Sequence, residues 1–347
     1  MAIGDSHYDG DRDSATGGAA AEDEVEARVG WRHTVAQIRR DTTARWGLYI
    51  VATVLFVAVY AFVDSHLSVL TFGRLSDFTF AKLLPIFDHP THIPDPGEGT
   101  QHMPPYFPLA EQPWNPLPAG GTLEHPLGTD STGRDYFTRI VYGTQVSVFV
   151  GLISTFIGLS GGTVVGAVAG YYGGRVDDTL MRLVETIYAI PPLILIIVFT
   201  VFVGGANIWY AVLGVGIAFV PVFARIIRSR VLSIREMDYI EAARAAGVKD
   251  RHIIMRHVVP NSFAPVLVYA TLQIGVTILI VAGLSFLGYG AQPPTPDWGA
   301  MLQTAHGYMH SNVWLSIWPG LAIMITIMGF NLFGDGLQDA LDPRIDD

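Results

Sequence analysis

The side chains in this 347-residue sequence that could do chemistry are few, and most of them share one stretch. Residues 238–261, "DYIEAARAAGVKDRHIIMRHVVPN", carry carboxylates, guanidinium groups, a lysine and two histidines between two long apolar runs. Such charged side chains are almost never fully buried unless they are paired. The stretch therefore has to lie outside a bilayer, where its charges can meet another protein.

Motifs for catalysis are missing from the rest of the sequence. It contains no G-x-x-x-x-G-K-[ST] and no H-E-x-x-H pattern, and no cysteine. We expect no enzyme activity, no catalytic residue and no cofactor of its own, so any work against a gradient would draw its energy from a partner or an ion. No basic stripe exists outside the loops that flank the apolar runs, so nucleic acid is not an expected partner.

Four histidines in a proline-rich loop raise the question of a metal site. His89, His92, His102 and His125 are scattered through or beside "PIFDHPTHIPDPGEGTQHMPPYFPLAEQPWNPLPAGG". Zinc sites usually show close, regular ligand spacing, which this loop lacks. We expect the histidines to be solvated and predict no metal site.

Polar residues inside the apolar runs form a second set of candidates. A carboxylate at membrane depth is costly and marks a functional position, although Glu185 could instead pair with Arg182 at the interface. Prolines kink or interrupt a helix, and amides bond between helices or line a path. The candidate pathway or gating residues are Glu185, Pro191, Pro192, Gln273 and Asn331.

Composition decides the class of protein that positions these residues. Half of the residues are hydrophobic and only 15% are charged, against about 25% in soluble domains. Runs of about 20 apolar residues indicate membrane spans. We predict an all-α, polytopic membrane protein with six transmembrane helices, at residues 47–65, 145–170, 180–203, 207–227, 264–288 and 313–334.

The distribution of charged residues predicts how the spans are oriented and how the chain divides into parts. With the N-terminus inside, the internal segments hold 17 of the 21 Lys and Arg residues, so both termini are predicted cytoplasmic in a cell membrane. The predicted parts are an acidic, mostly disordered tail (1–46), a retained anchor helix (47–65), a proline-rich outer loop with an elbow (66–144), a five-helix core (145–336) that includes a cytoplasmic loop (231–262), and a C-terminal tail (337–347).

Glycines recur every four residues along the second span. Small residues at this spacing make a smooth stripe where another helix can approach closely. We predict that the stripe packs two helices together. It consists of Gly158, Gly162, Gly166, Gly170 and Gly174.

The polar stretch itself is predicted to form two helices joined at a glycine. Residues 239–246 are rich in strong helix formers, and Gly247 stands where a left-handed residue would end that helix. A second short helix would start at Lys249 or Asp250 and stop at Pro260. The apolar residues of both helices fall on one side, so the stretch is predicted to project from the membrane surface as an L.

These residues carry a resemblance. "EAARAAGVKDRHIIMRHVVPN" resembles the EAA loop of the integral membrane subunits of ABC importers, with the motif positions at Glu241, Ala242, Ala243, Gly247 and Pro260. Residues 125–151, 284–302 and 331–344 are similar to permeases of the dipeptide/oligopeptide/nickel group, in particular the dipeptide permease C type. The long acidic tail, the longer proline-rich loop and Glu185 in place of an aspartate depart from that group.

The resemblance implies a fold, a function and partners. It implies the type I ABC importer permease fold, a second homologous permease subunit that shares the path, two ATPase subunits that bind ATP and Mg, and an external substrate-binding protein. The EAA loop would be the coupling element that seats in the ATPase. The outer segments around Asp130, Arg134 and Trp298 would shape the external side and could meet the binding protein.

Three alternatives stay open from the sequence. The group also carries nickel and other solutes, so peptide import is one choice within it. An ion-coupled secondary transporter could use Glu185 as its ion site, although such proteins usually show an inverted repeat, which is not evident here. A purely structural membrane subunit would leave the spacing of Glu241, Gly247 and Pro260 unexplained.

Overall fold

The computed structural model of the protein describes residues 37–83, 101–106 and 121–341. Within those ranges the regular secondary structure is helical, apart from one isolated bridge between Thr129 and Asp135. Most of the predicted acidic tail, two of the loop histidines (His89 and His92) and the last six residues lie outside the described residues. The predictions made for them remain predictions.

Twelve helices are described here in chain order. They are α1 (Thr42–Ser65), α2 (Leu67–Leu70), α3 (Thr79–Leu83), α4 (Tyr136–Tyr172), α5 (Gly174–Tyr188), α6 (Pro192–Val203), α7 (Ile208–Ile234), α8 (Asp238–Ala245), α9 (Asp250–Ile253), α10 (Val259–Phe286), α11 (Trp298–His306) and α12 (Trp314–Leu341), with a π-helical turn (Ile254–Val258) between α9 and α10.

Five of these helices in the described ranges are long and apolar enough to cross a membrane, namely α1, α4, α7, α10 and α12. The third predicted span, 180–203, is not one continuous helix, and this confirms the prediction that its two prolines kink or interrupt it. It is divided into α5 and α6, which meet at an angle of 90°. Pro191 and Pro192 stand at the break, because proline lacks the N–H that would continue the α5 ladder. A sixth crossing exists only if this bent pair is counted as one.

The long helices extend beyond the apolar runs at their polar ends. Helix α4 begins at Tyr136 rather than at residue 145, because the Asp135 carboxylate accepts a hydrogen bond from the Thr138 N–H at 2.6 Å and caps the helix. Its 37 residues span about 55 Å, more than the roughly 30 Å of a bilayer core. Helix α12 likewise continues past the predicted boundary at residue 336 to Leu341.

Four of the five stripe glycines pack α4 against α7. A Cβ atom added at Gly158, Gly162, Gly166 or Gly170 would stand 2.4–3.0 Å from an atom of α7. We name this contact the glycine seam. Gly174 does not belong to it: it begins α5 with a φ of +51° and has open space around it. The prediction was wrong there because the chain leaves α4 one residue earlier, at Gly173.

A second small-residue contact, which the sequence reading did not identify, joins the first and last long helices. Gly329 and Gly336 of α12 face Ile50 and Ala44 of α1, and Gly47 of α1 faces the backbone of α12 at Leu332–Phe333. These glycines do not recur at one constant spacing, so the pattern is visible only once the two helices are paired.

The largest buried cluster surrounds the glycine seam. It includes Phe223, Ile227 and Val231 of α7, and it extends to Ile196 of α6 and Val266 of α10. The stripe carries no side chains, so the bulky residues of α7 fill the space beside it. The α4–α7 pair is therefore the centre against which the other elements pack.

Close packing at the glycine seam predicts different effects of substitution at two glycines that the sequence alone cannot distinguish. At Gly162, an added Cβ would lie 2.4 Å from the Phe223 Cβ and 2.8 Å from the Ala224 nitrogen, so Gly162→Ala forces the backbones apart. We expect it to lower the free energy of unfolding in detergent by about 1–3 kcal/mol. The matched control is Gly283→Ala in α10, which meets open space and should instead stabilise the helix by about 0.5–1 kcal/mol. Equal effects of both changes would contradict close packing at the seam.

Candidate functional site

Residues 238–261, which we name the bent segment, join α7 to α10. Helix α8 begins after Met237 and has Asp238 and Glu241 in its first turn, where carboxylates complement the positive end of the helix dipole. Arg244 lies in its last turn, at the negative end. The charges of the sequence therefore favour a helix of eight residues that is short but well defined.

Gly247 makes the bend as predicted. Its φ is +77°, and its N–H donates to the carbonyl of Arg244 at 2.9 Å, while the Val248 N–H donates to the carbonyl of Ala243 at 3.1 Å. This pair of bonds is the Schellman motif that ends a helix in a left-handed residue. Glycine takes that conformation without the steric penalty that a Cβ brings.

Pro260 does not end the second arm, and that prediction was wrong. Helix α9 passes through the π-helical turn Ile254–Val258 directly into α10, and Pro260 lies in the first turn of α10. In the π turn the Val259 N–H donates to the carbonyl of Ile254. This wider ladder admits a proline, whose ring would clash with a carbonyl in a regular α-helix interior. The second arm is therefore continuous with a long apolar helix.

One face of the bent segment is buried and the other is open. Ile240, Ile253 and Val258 have no exposed surface and belong to the same buried cluster as the glycine seam. On the other face, the motif positions Glu241, Ala242 and Gly247 are exposed and Ala243 is half-buried. The segment thus exposes a small, partly acidic surface on one face, while its other face is anchored in the buried cluster.

The end of α4 holds the bent segment from the inside of its bend. The Tyr171 hydroxyl donates to the Asp250 carboxylate at 2.8 Å and accepts from Arg244 Nε at 3.3 Å. The Arg244 guanidinium also lies over the Tyr171 ring, 4.8 Å from its centroid. The sequence reading did not identify Tyr171, because nothing in the stretch around it marks the tyrosine as a partner of residues 73 and 79 positions away.

Two arginines of the α7 end add further ties. Arg228 donates to both carboxylate oxygens of Asp177 in α5, at 2.5 Å each, and Arg235 donates to the Gly170 carbonyl at 3.0 Å. A bidentate arginine–carboxylate pair fixes geometry as well as charge. The ends of α4, α5 and α7 are therefore joined beside the bent segment.

The structure distributes the pathway candidates over separate elements. Glu185 is exposed on α5, Pro191 and Pro192 form the α5–α6 break, and Gln273 is buried within α10. Asn331 lies on α12 and faces Gly275 of α10. Asn331 also lines an open groove of about 590 Å³ whose other walls are apolar, among them Leu279, Met324 and Met328. None of the described pockets contains Glu185 together with Gln273 or Asn331.

The segment before α4 holds a buried ionic cluster, which we name the ionic cap. The Asp130 carboxylate accepts hydrogen bonds from Thr132 and from the Arg134 backbone and Nε, the last at 2.7 Å, and Arg139 Nε lies 3.7 Å away. Burial favours the neutral acid, but the charge of Arg134 and the bonds from Thr132 outweigh it, so the pKa of Asp130 lies below its ordinary value of 3.8. The carboxylate therefore stays ionised in the fold.

The residues that the sequence singled out for the external side are not surface groups. Trp298 is 2% exposed and donates from Nε1 to the Ile140 carbonyl at 3.0 Å, while Asp130 is 3% exposed. Asp297 caps α11 and accepts from Ser147 at 3.0 Å, and burial raises the pKa of its carboxyl group. Asp130, Arg134 and Trp298 are buried and hold this end of the fold together. The expectation that the segments around them meet a binding protein stays a prediction, and exposed residues of those segments would have to make the contact.

Metal ligands do not gather in the described part of the chain. No group of three or more His, Asp or Glu side chains there could hold an ion. His125 Nδ1 lies 3.1 Å from Asp135, and the ring of His102 packs on Tyr308.

Five long apolar helices with one polar, bent segment between two of them define a helical membrane protein. The chain belongs to the family described as the inner membrane component of binding-protein-dependent transport systems, whose match covers residues 162–347. It is therefore a permease subunit of an ABC-type importer, as the resemblance of the EAA loop implied.

Individual relatives support this assignment over most of the chain. A dipeptide transport system permease protein of Alkalihalophilus pseudofirmus is 36% identical over 324 residues, which is 93% of each chain. A glutathione transport system permease protein of Pectobacterium atrosepticum is 41% identical over 245 residues, 71% of this chain and 81% of that one. A solved structure of the inward-facing MetNI methionine ABC transporter matches with a TM-score of 0.50 at 21% identity, over 59% of this chain and 97% of that one. The last likeness shows a shared fold.

The ionic cap generates a prediction about stability and pH. Replacing Asp130 by Asn leaves the buried charge of Arg134 without its partner, so we expect Asp130→Asn to lower the free energy of unfolding at pH 7 by about 3 kcal/mol. Glu124→Gln, at an exposed position of the same segment, should change it little. Denaturant unfolding in detergent measures both.

The pH dependence of the two proteins should differ as well. Because the pKa of Asp130 is lower in the folded state, its stabilisation is present above the unfolded value of 3.8 and is lost as the pH falls through the folded value. The unsubstituted protein should therefore lose more stability below pH 3.8 than Asp130→Asn does. Parallel acid curves would argue against this role.

Proposed function

We propose that this permease imports dipeptides or short oligopeptides, with a homologous second permease, two ATPase subunits and an external substrate-binding protein. ATP and Mg would bind the ATPase subunits, because this sequence contains no phosphate-binding loop. The substrate path would lie between the two permeases, and both termini of this chain would be cytoplasmic.

The observation that carries the coupling role is the geometry of the bent segment. A lever must move as one piece between two global states. Here the Schellman bend at Gly247 shapes the segment, and Ile240, Ile253 and Val258 anchor it in the buried cluster. Its exposed face, with Glu241 and Ala242, is then free to seat in an ATPase. Closure of the ATPase on ATP would thus be transmitted to α7 and α10.

The orientation follows from charge. The cations of the bent segment and of its flanks, such as Arg244 and Arg256, belong on the cytoplasmic side by the positive-inside rule. The ionic cap around Asp130 then faces outward, toward the binding protein. Any contact with that protein would involve exposed residues of the outer segment rather than the buried cap.

The choice of a peptide substrate rests on the relatives. The proteins compared above are named for dipeptide and glutathione transport, and both solutes are small peptides. Nickel is less favoured, since neither name points to it. Of the proposed gating residues, Asn331 has the best support, because it stands at the groove between α10 and α12.

Two substitutions in the bent segment test the coupling role. Gly247→Pro removes the left-handed bend, since proline fixes φ near −65°, and Glu241→Lys reverses the charge of the exposed face. We expect each to leave the chain in the membrane but to reduce ATP-driven uptake of radiolabelled dialanine more than tenfold. Uptake would be measured in proteoliposomes that hold the complete complex.

Matched controls separate coupling from general damage. Gly247→Asn should retain uptake because asparagine tolerates the left-handed conformation. Glu236→Lys makes the same charge change at an exposed position just before the segment and should also be tolerated. Normal uptake by Gly247→Pro or Glu241→Lys would refute the coupling role. If excess Ni²⁺ instead competes with dialanine for uptake, that result would refute the assignment of a peptide substrate.

A further inference from the structure

The two arms of the bent segment converge on a single side chain outside the segment. Arg244 lies in the last turn of α8 and Asp250 is the first residue of α9, so the two residues stand on opposite sides of Gly247. Both contact the hydroxyl of Tyr171, at 3.3 Å and 2.8 Å. One phenol therefore bridges the inside of the bend.

Tyr171 is buried and is held in place by its neighbours in α4 and α7. It is 5% exposed and lies in the last turn of α4, next to Gly170. At Gly170 an added Cβ would meet Val231 of α7 at 2.9 Å, and the Gly170 carbonyl accepts from Arg235 at 3.0 Å. The Tyr171 ring is thus held beside the last contact of the glycine seam, where the ends of α4 and α7 pack together.

We propose that Tyr171 is a positioning residue for energy coupling: its hydroxyl sets the angle of the bend and links the bent segment to the glycine seam. This inference rests on the proposed coupling role of the bent segment. The buried anchors Ile240 and Ile253 attach the two arms to the core, but each acts on one arm alone. The Schellman bonds at Gly247 are backbone bonds within the segment and leave its direction relative to α4 open. Among the side-chain hydrogen bonds of the described residues, those of the Tyr171 hydroxyl join both arms to α4.

The substitution Tyr171→Phe removes the bridge with little other change. The ring stays, and with it the contact of the Arg244 guanidinium, whereas the bonds to Arg244 Nε and to Asp250 are lost. Its matched control is Tyr172→Phe, at a neighbouring tyrosine that is exposed.

The first measurement is the number of ATP molecules hydrolysed per dialanine imported by the complete complex in proteoliposomes. We expect Tyr171→Phe to raise that number about 2- to 10-fold, the factor that corresponds to the net worth of one or two hydrogen bonds. Tyr172→Phe should leave it unchanged. A purely structural role would reduce the amount of assembled complex but leave the ratio as it was, and that result would overturn the proposal.

The second measurement does not depend on the solute. The chain has no cysteine, so nitroxide labels can be attached to Cys introduced at exposed Ser229 of α7 and exposed Ala246 of the bent segment. We expect Tyr171→Phe to broaden the distance distribution between the labels and Tyr172→Phe to leave it narrow. An equally narrow distribution in both variants would overturn the proposal.

A double variant tests whether the hydroxyl acts through Asp250. If it does, Tyr171→Phe combined with Asp250→Ala should be no worse coupled than the stronger single variant, because both changes remove one shared interaction. Additive losses would contradict the bridge. Should Gly247→Pro abolish uptake while Tyr171→Phe stays fully coupled, the coupling role stands and only the role of Tyr171 fails. Should Gly247→Pro have no effect, the proposed function of the segment fails first.

Discussion

Close approach of the α4 and α7 backbones is the constraint on which the rest of the structure depends. Lipid tails are as apolar as leucine, so helices in a bilayer associate through packing rather than through the hydrophobic effect. The absence of side chains at Gly158, Gly162, Gly166 and Gly170 makes that packing possible. The bulky residues of α7 then fill the flanks of the seam, and α6 and α10 close around them.

The polar part of the molecule is built on the same seam. Ile240 and Ile253 share one buried cluster with α7, and Tyr171 at the end of α4 meets both arms of the bend. A densely packed interior transmits displacement rather than absorbing it. A push on the exposed face of the bent segment would therefore reach α4, α7 and α10 together, which is what coupling to an ATPase requires.

The proline positions show why local sequence patterns were only partly sufficient to predict where helices end. Pro191 and Pro192 do interrupt a helix, as the sequence indicated, but the 90° turn between α5 and α6 depends on what each half packs against. Pro260 does not stop its helix, because a π-helical turn before it widens the ladder. Neighbouring turns and tertiary contacts decide whether a proline interrupts a helix or is accommodated within it. The proline itself encodes neither of these surroundings.

The sequence by itself determined the class of protein, the left-handed bend at Gly247 and the membership indicated by the EAA loop. Hydropathy and glycine conformation act over a few consecutive residues and can be read locally. Only the tertiary structure decided that Gly174 lies off the seam, that Trp298 is buried, and that Tyr171 bridges the bend. Each of these depends on which residues from distant parts of the chain come together, and in lipid that is set by the close fit of one helix surface against another.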